Sequence, residues 1–281
     1  MTDTRPPAPT HEPMASYSPD TAERARIGRL ERSALLGVLV REFINYSSFW
    51  RSSAFSSTVE PTIYLLAFGF GVGSLVSEVS GYSYVDFVGT GTVATAVLFS
   101  AAFPAMFSTF VKYKFQRTYD AILAAPVDAE ELVTAEALWI ATRAGVYGCA
   151  PLLVAMVFGL DPAWGMLTVP FICFVAGLGW ALFGITVAAT MNSIDNFSYV
   201  ISGVMTPLML VAGTFFPLDQ LPAWARILAQ LNPLHHCVEL VRHAAFGWEG
   251  WVDLWHLGFM LGFALGLWRL AIRQMGRRLV D

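Results

Sequence analysis

The stretch MLTVPFICFVAGLGWALFGITVAATM, from Met166 to Met191, decides the fold class of this protein. It contains no Asp, Glu, Lys or Arg, and it is longer than the roughly 20 apolar residues that a helix needs to cross the hydrocarbon core of a bilayer. A helix satisfies its own backbone hydrogen bonds and can therefore lie in lipid. The stretch predicts a transmembrane helix.

Five further stretches are mostly apolar and about long enough to span, although three of them contain charged residues. The five are Thr58 to Val76, Phe87 to Val111, Leu132 to Phe158, Phe197 to Phe216 and Trp251 to Ile272. The whole chain of 281 residues is 56% hydrophobic and 14% charged, whereas a soluble domain carries about 25% charge. Too little charge remains to cover a surface that faces water. The sequence therefore predicts an all-α membrane protein with six transmembrane helices.

Basic residues predict the orientation, because Lys and Arg accumulate on the cytoplasmic side of a membrane. With the N-terminus inside, the outer segments hold only Arg226 and Arg242. The inner segments hold Arg24, Arg26, Arg29, Arg32, Arg41, Arg51, Lys112, Lys114, Arg117, Arg273, Arg277 and Arg278. Both ends of the chain are therefore expected in the cytoplasm.

The chain divides into four parts by composition. Residues 1–32 are polar and rich in proline and charge, without the apolar core of a signal peptide, which predicts a disordered cytoplasmic tail. Residues 33–52 predict a helix lying in the inner interface, or alternatively a cytoplasmic extension of the first span. Residues 53–272 form the six-helix domain, and residues 273–281 form a basic cytoplasmic tail.

The inner loop KYKFQRTYDAILAAPVDAEEL, from Lys112 to Leu132, has too much structure for a simple connector. Its basic and aromatic start suits the headgroup region. TYDAILAAP then has the apolar content of a short helix, with Thr118 as a plausible N-cap and Pro126 ending the turn. An exposed apolar helix predicts a protein partner, and the alternative is a turn that touches only lipid.

The outer segment FFPLDQLPAWARILAQLNPLHHCVELVRHAAFGWEGW, from Phe215 to Trp251, predicts two short helices. Asp219 is a possible cap of the first, Asn232-Pro233 ends it, and the second runs from Leu234 to Phe246. Apolar residues recur at helical spacing in the first, at Leu221, Trp224, Ile227 or Leu228, and Leu231. Neither helix is long enough to span. The pair is expected to form a re-entrant hairpin or an outer cap, and the alternative is an interfacial loop.

Ionisable residues within spans are costly and point to function or to helix contacts. Glu136 and Arg143 lie seven residues apart and share one face of the third span, while Glu60 lies near the inner end of the first. These positions favour helix anchoring or contact with a partner subunit over a proton relay.

The second outer half-helix places His236, Glu239 and His243 on one face. That face predicts either a polar stripe or a metal site, although the pattern does not match a zinc-hydrolase motif. The three cysteines have no short spacing that would predict a metal site. No phosphate-binding loop of the G-x-x-x-x-G-K-[ST] type occurs, so this chain is not predicted to hydrolyse nucleotides.

Two segments, TYDAILAAPVDAEELVTAE (Thr118 to Glu136) and FFPLDQLPAWARILAQLNPLHHCVELVR (Phe215 to Arg242), resemble those of the type-2 ABC transporter permeases. The resemblance is to the subgroup of nodulation lipo-oligosaccharide exporters and daunorubicin-type drug exporters. The order of parts also fits: an interfacial helix, five spans, a broken outer hairpin and a sixth span. The resemblance covers roughly Ser33 to Arg278.

The resemblance implies an export permease of the bacterial plasma membrane that works as a homodimer, or as a heterodimer with a sister permease. A separate ABC ATPase would bind ATP and Mg, and this chain would bind no cofactor and no nucleic acid. Its cargo would be a lipophilic drug, which would mean antibiotic resistance, or a glycolipid or saccharide. The runners-up are a proton-coupled secondary transporter and a membrane enzyme that uses the face of His236, Glu239 and His243.

The resemblance also implies roles for particular residues. The coupling helix that docks on the ATPase would contain Thr118, Tyr119, Asp120, Ile122, Leu123 and Pro126. Because this short helix is apolar on one side, we expect Ile122 and Leu123 to be its buried anchors and Tyr119 to lie at the rim of the interface. The outer gate would contain Phe215, Phe216, Pro217, Leu221, Pro222, Trp224, Asn232, Pro233, His235, Glu239 and Arg242.

Overall fold

The computed structural model describes residues 30–76, 78–79 and 81–280, which are almost entirely helical. Residues 1–29 of the expected cytoplasmic tail lie outside this part. The first helices are α1 (Arg32–Ser47), α2 (Trp50–Gly71), α3 (Tyr84–Lys114), α4 (Thr118–Leu123), α5 (Ala129–Tyr147) and α6 (Ala150–Val157). The others are α7 (Val169–Thr190), α8 (Phe197–Val200), α9 (Thr206–Leu210), α10 (Ala223–Gln230), α11 (Pro233–Phe246) and α12 (Trp251–Val280).

Short elements complete the described chain. Three 3-10 turns lie at Trp164–Thr168, Ile194–Asn196 and Leu218–Gln220, and a π-helical turn at Ile201–Met205 joins α8 to α9. The strands β1 (Glu78–Val79) and β2 (Tyr82–Ser83) form a small antiparallel hairpin that departs from the all-α prediction.

Four helices of the described chain are long and apolar enough to cross a membrane. They are Tyr84–Lys114, Ala129–Val157, Trp164–Thr190 and Trp251–Leu279, and they contain the second, third, fourth and sixth predicted spans, apart from the last residue of the third and of the fourth. The second of them joins α5 to α6 with an interruption at Gly148 and Cys149, because Pro151 has no N–H for the carbonyl of Tyr147. The protein is therefore an all-α membrane protein.

The other two predicted spans are not among these helices, for different reasons. The first half of α2 reads WRSSAFSSTVEPT, and its polar residues lower the hydropathy of the helix. The α8–α9 unit covers residues 197–210 before the chain turns at Val211. At 1.5 Å per residue it measures roughly 21 Å, less than the roughly 30 Å of hydrocarbon.

The centre of the fold is the packing of α7 against α3, α5 and α12. Small residues allow the close approach that membrane helices use instead of hydrophobic burial. Gly184 of α7 lies against Ala102 and Ala105 of α3, and Gly177 lies against Ala141 and Ala144 of α5. A larger residue at either glycine would therefore push α7 away from its neighbours.

Helix α1 packs beside α5 and ends at Ser47, earlier than the predicted boundary at residue 52. Its inner face buries Val38 and Glu42. The opposite face leaves four large apolar side chains exposed at helical spacing: Leu36, Val40, Phe43 and Ile44. This amphipathic pattern suits a helix lying on a lipid surface.

Candidate functional site

The inner loop turns sharply between α3 and α4. Arg117 has φ +49°, and it is the one non-glycine residue of the described chain with positive φ. Arg117 therefore occupies the N-cap position of α4, without a capping side-chain bond, and the predicted cap Thr118 is the first helical residue instead. The helix ends at Leu123, before Pro126.

Tyr119 points into the protein, which corrects the rim position expected from the sequence. It is the one buried residue of α4, with 1% exposure, and its hydroxyl donates a hydrogen bond to Glu136 Oε2. Burial raises the pKa of Tyr119 well above its ordinary value, and the neighbouring carboxylate of Glu136 raises it further. The phenol therefore keeps its proton at neutral pH and acts as a donor.

The opposite side of α4 is open. Asp120 and Pro126 are exposed, while Ile122 and Leu123 are half-buried. Ile122 packs against the core of its own chain, whereas Leu123 does not. Ile122 also lines a groove of about 420 Å³ between α1 and α4, together with Glu31, Ser33, Ala34, Gly37, Val38, Arg41, Ala125, Pro126 and Val127.

A buried ionic network lies directly beneath α4. The ammonium of Lys112 donates to Glu42 Oε1 and Oε2, at 3.0 and 2.9 Å, and to Glu136 Oε1 at 2.9 Å. The Lys112, Glu42 and Glu136 side chains are 11%, 9% and 3% exposed. Arg41 Nη1 adds a contact of 2.7 Å to Glu42 Oε1. The sequence pattern around Lys112 predicts only a headgroup residue, because its two carboxylate partners lie 70 and 24 positions away.

Glu136 and Arg143 bind different partners and not each other, although they share a helix. Arg143 Nη2 donates to Ser53 Oγ at 2.7 Å, and its guanidinium lies 4.5 Å from the ring centroid of Tyr46. Both side chains thus tie α5 to other helices, as the anchoring interpretation expects. The side chain of the third predicted residue, Glu60, lies outside the part of the chain that the structure describes.

The segment from Phe215 to Trp251 forms two short helices that break at the predicted Asn232-Pro233 position. Asn232 is buried, its Oδ1 accepts from the Leu234 N–H at 3.0 Å, and its Nδ2 donates to the Leu208 carbonyl at 2.7 Å. Asp219 does not cap α10, because it lies in the preceding 3-10 turn and Pro222 holds the N-cap position.

Helix α10 turns its small residues inward and its large ones outward. Ala225 and Ala229 are buried against the protein. The predicted apolar stripe remains largely uncovered, with Trp224, Ile227, Leu228 and Leu231 exposed and Leu221 partly buried. The exposed stripe of this outer helix is available to lipid or to another chain.

The start of the outer segment packs against α2 and the beginning of α3. Phe215 contacts Phe68 at a centroid distance of 4.6 Å, and its carbonyl accepts a bond of 3.4 Å from Tyr84. Phe216 and Pro222 are exposed, whereas Pro217 is half-buried. The segment is thus attached to the protein at Phe215.

Polar side chains of α11 bind the backbone of the turn at residues 211–213, which follows α9. Arg242 Nη1 donates to Glu239 Oε1 at 3.1 Å, and Nη2 donates to the Gly213 carbonyl at 2.6 Å. The guanidinium also lies 3.7 Å from the ring centroid of Phe87. Gly213 has φ +85°, a conformation that favours glycine. His235 Nδ1 lies 3.2 Å from the Ala212 carbonyl of the same turn.

The face of His236, Glu239 and His243 does not converge on one point. His236 Nδ1 lies 2.6 Å from His256 Nδ1, whereas His243 Nδ1 lies 2.5 Å from Asp253 Oδ1. Both new partners belong to α12 and were absent from the sequence interpretation. In the described ranges, no group of three His, Cys, Asp or Glu side chains is arranged to hold a metal ion. The imidazoles instead join α11 to α12.

A cleft of about 540 Å³ opens beside this polar cluster. Its walls combine charged groups with aromatic rings, and Tyr82 of the outer β-hairpin stacks on Phe246 with centroids 3.9 Å apart. The lining includes Asp219, Arg226, His235, Glu239, Arg242, His243, Glu249, Trp255 and His256. The outer half-helices therefore border a polar cavity.

Comparisons with known proteins agree with this arrangement of parts. The model of the ABC-2 type transporter family matches residues 34–246. Nodulation protein J of Rhizobium leguminosarum bv. trifolii is 33% identical over 202 residues, which cover 70% of this chain and 77% of that protein.

Two further relatives cover more of the chain. Nodulation protein J of Sinorhizobium fredii is 30% identical over 84% of this chain and 92% of its own length. The inner membrane transport permease YadH of Escherichia coli is 24% identical over 87% of this chain and 97% of its own length. This chain therefore belongs to the ABC-2 type transporter family, as the membrane subunit of an ABC transporter.

Proposed function

We propose that this chain is the permease subunit of an ABC exporter in the bacterial plasma (inner) membrane. It carries a lipophilic drug, a glycolipid or a saccharide outward, and a separate ATPase that binds ATP and Mg powers it. The observation that carries the proposal is the placement of α4, a short helix between two span ends. One side of α4 is fastened through Tyr119, and its other side is open for a partner.

The open side of α4 supplies the contacts with the ATPase. Leu123 is half-buried and outside the core of its own chain, so it can insert into an apolar groove. Ile122, which lines the groove between α1 and α4, lies next to Leu123 and adds a second apolar contact. Thr118, Asp120 and Pro126 surround these anchors, and Asp120 and Pro126 are exposed. Apolar anchors in the middle of a polar rim are the usual composition of a protein interface.

The outer half-helices form the gate, and two permease chains form the pathway. Helices α10 and α11 dip into the outer leaflet. Helix α2 is the first of six spans, and the α8–α9 unit is the helical part of the fifth, which the following turn up to Phe216 completes. Irregular backbone at that depth is tolerated where protein buries it, and the side chains of Asn232 and Arg242 donate hydrogen bonds to the backbone carbonyls of Leu208 and Gly213. A second copy or a sister permease covers the outward stripe of α10.

The two alternative functions have less support. A proton relay needs several ionisable groups in succession across the bilayer, whereas Glu136 is bound by Lys112 and Tyr119 near the end of its helix. A metal-dependent enzyme needs convergent ligands, whereas His236 and His243 take separate partners on α12. The export permease therefore remains the function that the geometry supports best.

Labelling of single cysteines tests the topology with both ends inside. Ser83→Cys, Asp219→Cys and Gln116→Cys place a thiol at exposed positions, in a background with the three native cysteines replaced. An impermeant maleimide should label the first two in intact cells and the third only after the membrane is broken. The parent without added cysteine is the control, and labelling of Gln116→Cys in intact cells would contradict the topology.

Co-purification tests the function itself. We expect a neighbouring reading frame to encode an ABC ATPase, and the chain co-expressed with that ATPase should retain it through affinity purification. In proteoliposomes, the complex should hydrolyse ATP faster than the ATPase alone. An ATPase with a disabled phosphate-binding loop is the control. A permease that never retains the ATPase, with unaltered hydrolysis, would refute the assignment.

A further inference from the structure

The ammonium of Lys112 joins four separate elements. Lys112 belongs to the last turn of α3, Glu42 to α1, Glu136 to α5, and Tyr119, which donates to Glu136, to α4. A lysine ammonium has three N–H donors, and the three carboxylate oxygens within 3.0 Å match them in number. The network therefore links the helix that faces the ATPase to a span and to the helix at the membrane surface.

The network is poorly suited to a purely stabilising role. Buried charges lose their hydration, and apolar residues of similar volume often stabilise a protein as well or better. The loss of one member, by contrast, leaves an uncompensated buried charge. Such a cluster is best suited to fixing one relative position of the elements that supply it.

Helix α4 depends on the network for its place in the fold. It has six residues, far fewer than a helix needs to be stable alone. Tyr119 is its one buried side chain, and the phenol reaches Glu136, which Lys112 holds in place. A displacement of α4 must therefore move Glu136 on α5, and through Lys112 it must also move Glu42 on α1.

We propose that Lys112 is a positioning residue that makes α4, α5 and α1 move as one body when the ATPase displaces α4. The inference rests on the proposed function and adds a mechanism to it. Without the network, α4 would move while the span and the surface helix stayed in place, so that ATP hydrolysis would no longer drive transport.

The first test uses the purified permease without an ATPase. Tyr119→Phe keeps the ring and removes the hydroxyl that reaches Glu136. We expect hydrogen exchange at the amides of residues 121–124 to become roughly tenfold faster. That factor equals about 1.4 kcal/mol, close to the worth of one hydrogen bond to a charged group. The matched control is Tyr113→Phe, which loses a hydroxyl bonded to the Arg278 carbonyl instead. Unchanged exchange in Tyr119→Phe would overturn the proposal.

The second test separates coupling from stability. A variant with Glu42→Met, Lys112→Met, Tyr119→Phe and Glu136→Met removes the buried charges and the phenol donor of the network together, and leaves only Arg41, whose side chain is 40% exposed and can turn to water. We expect it to be as thermostable as the wild type and to retain its ATPase, with transport per ATP hydrolysed reduced about tenfold. Lys112→Arg, which keeps the charge, should restore most of the coupling that Lys112→Met loses. A normal transport ratio in the fourfold variant would overturn the proposal.

The two tests also distinguish this inference from the proposed function. If exchange rises in Tyr119→Phe while the wild-type chain never binds an ATPase, the proposed function fails and the anchoring of α4 by the network stands. If the ATPase binds and exchange does not change, the function stands and the role of Lys112 is wrong. Should the fourfold variant not fold, Tyr119→Phe alone decides, because exchange and transport can both be measured on it.

Discussion

The double change of Ile122 and Leu123 to aspartate should detach the ATPase from this permease. Truncation of a buried apolar anchor at an interface often costs about 2 kcal/mol or more, which is roughly thirtyfold in affinity. Aspartate adds the cost of burying an unpaired charge. The loss should therefore exceed thirtyfold, measured as ATPase retained on the purified permease and as transport in vesicles.

The two positions differ, and single variants separate their roles. Ile122 also packs against its own chain, whereas Leu123 does not. Leu123→Asp should therefore weaken ATPase binding without disturbing the permease, and monodispersity after purification checks the fold. The matched control exchanges the two residues, Ile122→Leu with Leu123→Ile, and should bind normally. Wild-type transport by the double aspartate variant, with its ATPase bound, would show that α4 is not the coupling helix.

Gly184→Val should prevent the formation of a stable bundle. A Cβ atom at Gly184 would lie 2.5 Å from Ala105 Cβ, 2.7 Å from the Ala102 carbonyl oxygen and 3.0 Å from the Met106 nitrogen. Two of these atoms belong to backbone, so no side-chain movement relieves the overlap. Overpacking in a core costs about 1–3 kcal/mol, and separation of α3 from α7 would add lost contacts along both helices.

The measurement is the yield of monodisperse protein and its thermal unfolding midpoint. We expect a large fall of both in Gly184→Val. Gly266→Val is the control, because α12 has nothing within 4 Å of a Cβ at that position. Both variants place the same β-branched residue in a helix, so their difference measures the packing alone. Equal behaviour of the two variants would mean that α3 and α7 do not depend on close approach at Gly184.

Short-range patterns account for the parts that the sequence predicted well. Four of the six predicted spans coincide with helices that are long and apolar enough to cross a membrane. The short inner helix and the break at Asn232-Pro233 are also present. Each depends on residues within one or two turns of each other: a run of apolar side chains, or a proline that lacks an N–H. The first and fifth predicted spans are not among those four helices, because the first half of α2 is polar and the α8–α9 unit ends at a turn.

Contacts between residues far apart in the chain decided the features that the sequence predicted wrongly. The sequence placed Tyr119 at the rim, because helical periodicity defines the faces of a six-residue helix without saying which face meets the protein. Glu136, 17 positions away, draws the hydroxyl inward. His236 and His243 likewise share a face in the sequence, but His256 and Asp253 on α12 separate them.

The sequence by itself determined that this protein lies in a membrane, that it resembles the type-2 ABC permeases, and where the inner loop and the outer segment interrupt the spans. All three follow from composition and from motifs that are continuous in the chain. Only the tertiary structure decided that Glu42, Lys112 and Glu136 meet, 70 and 24 positions apart. Buried charges must find partners wherever the packing of helices brings them, because little water is available to solvate them. That packing depends on shape across the whole bundle, which no local pattern contains.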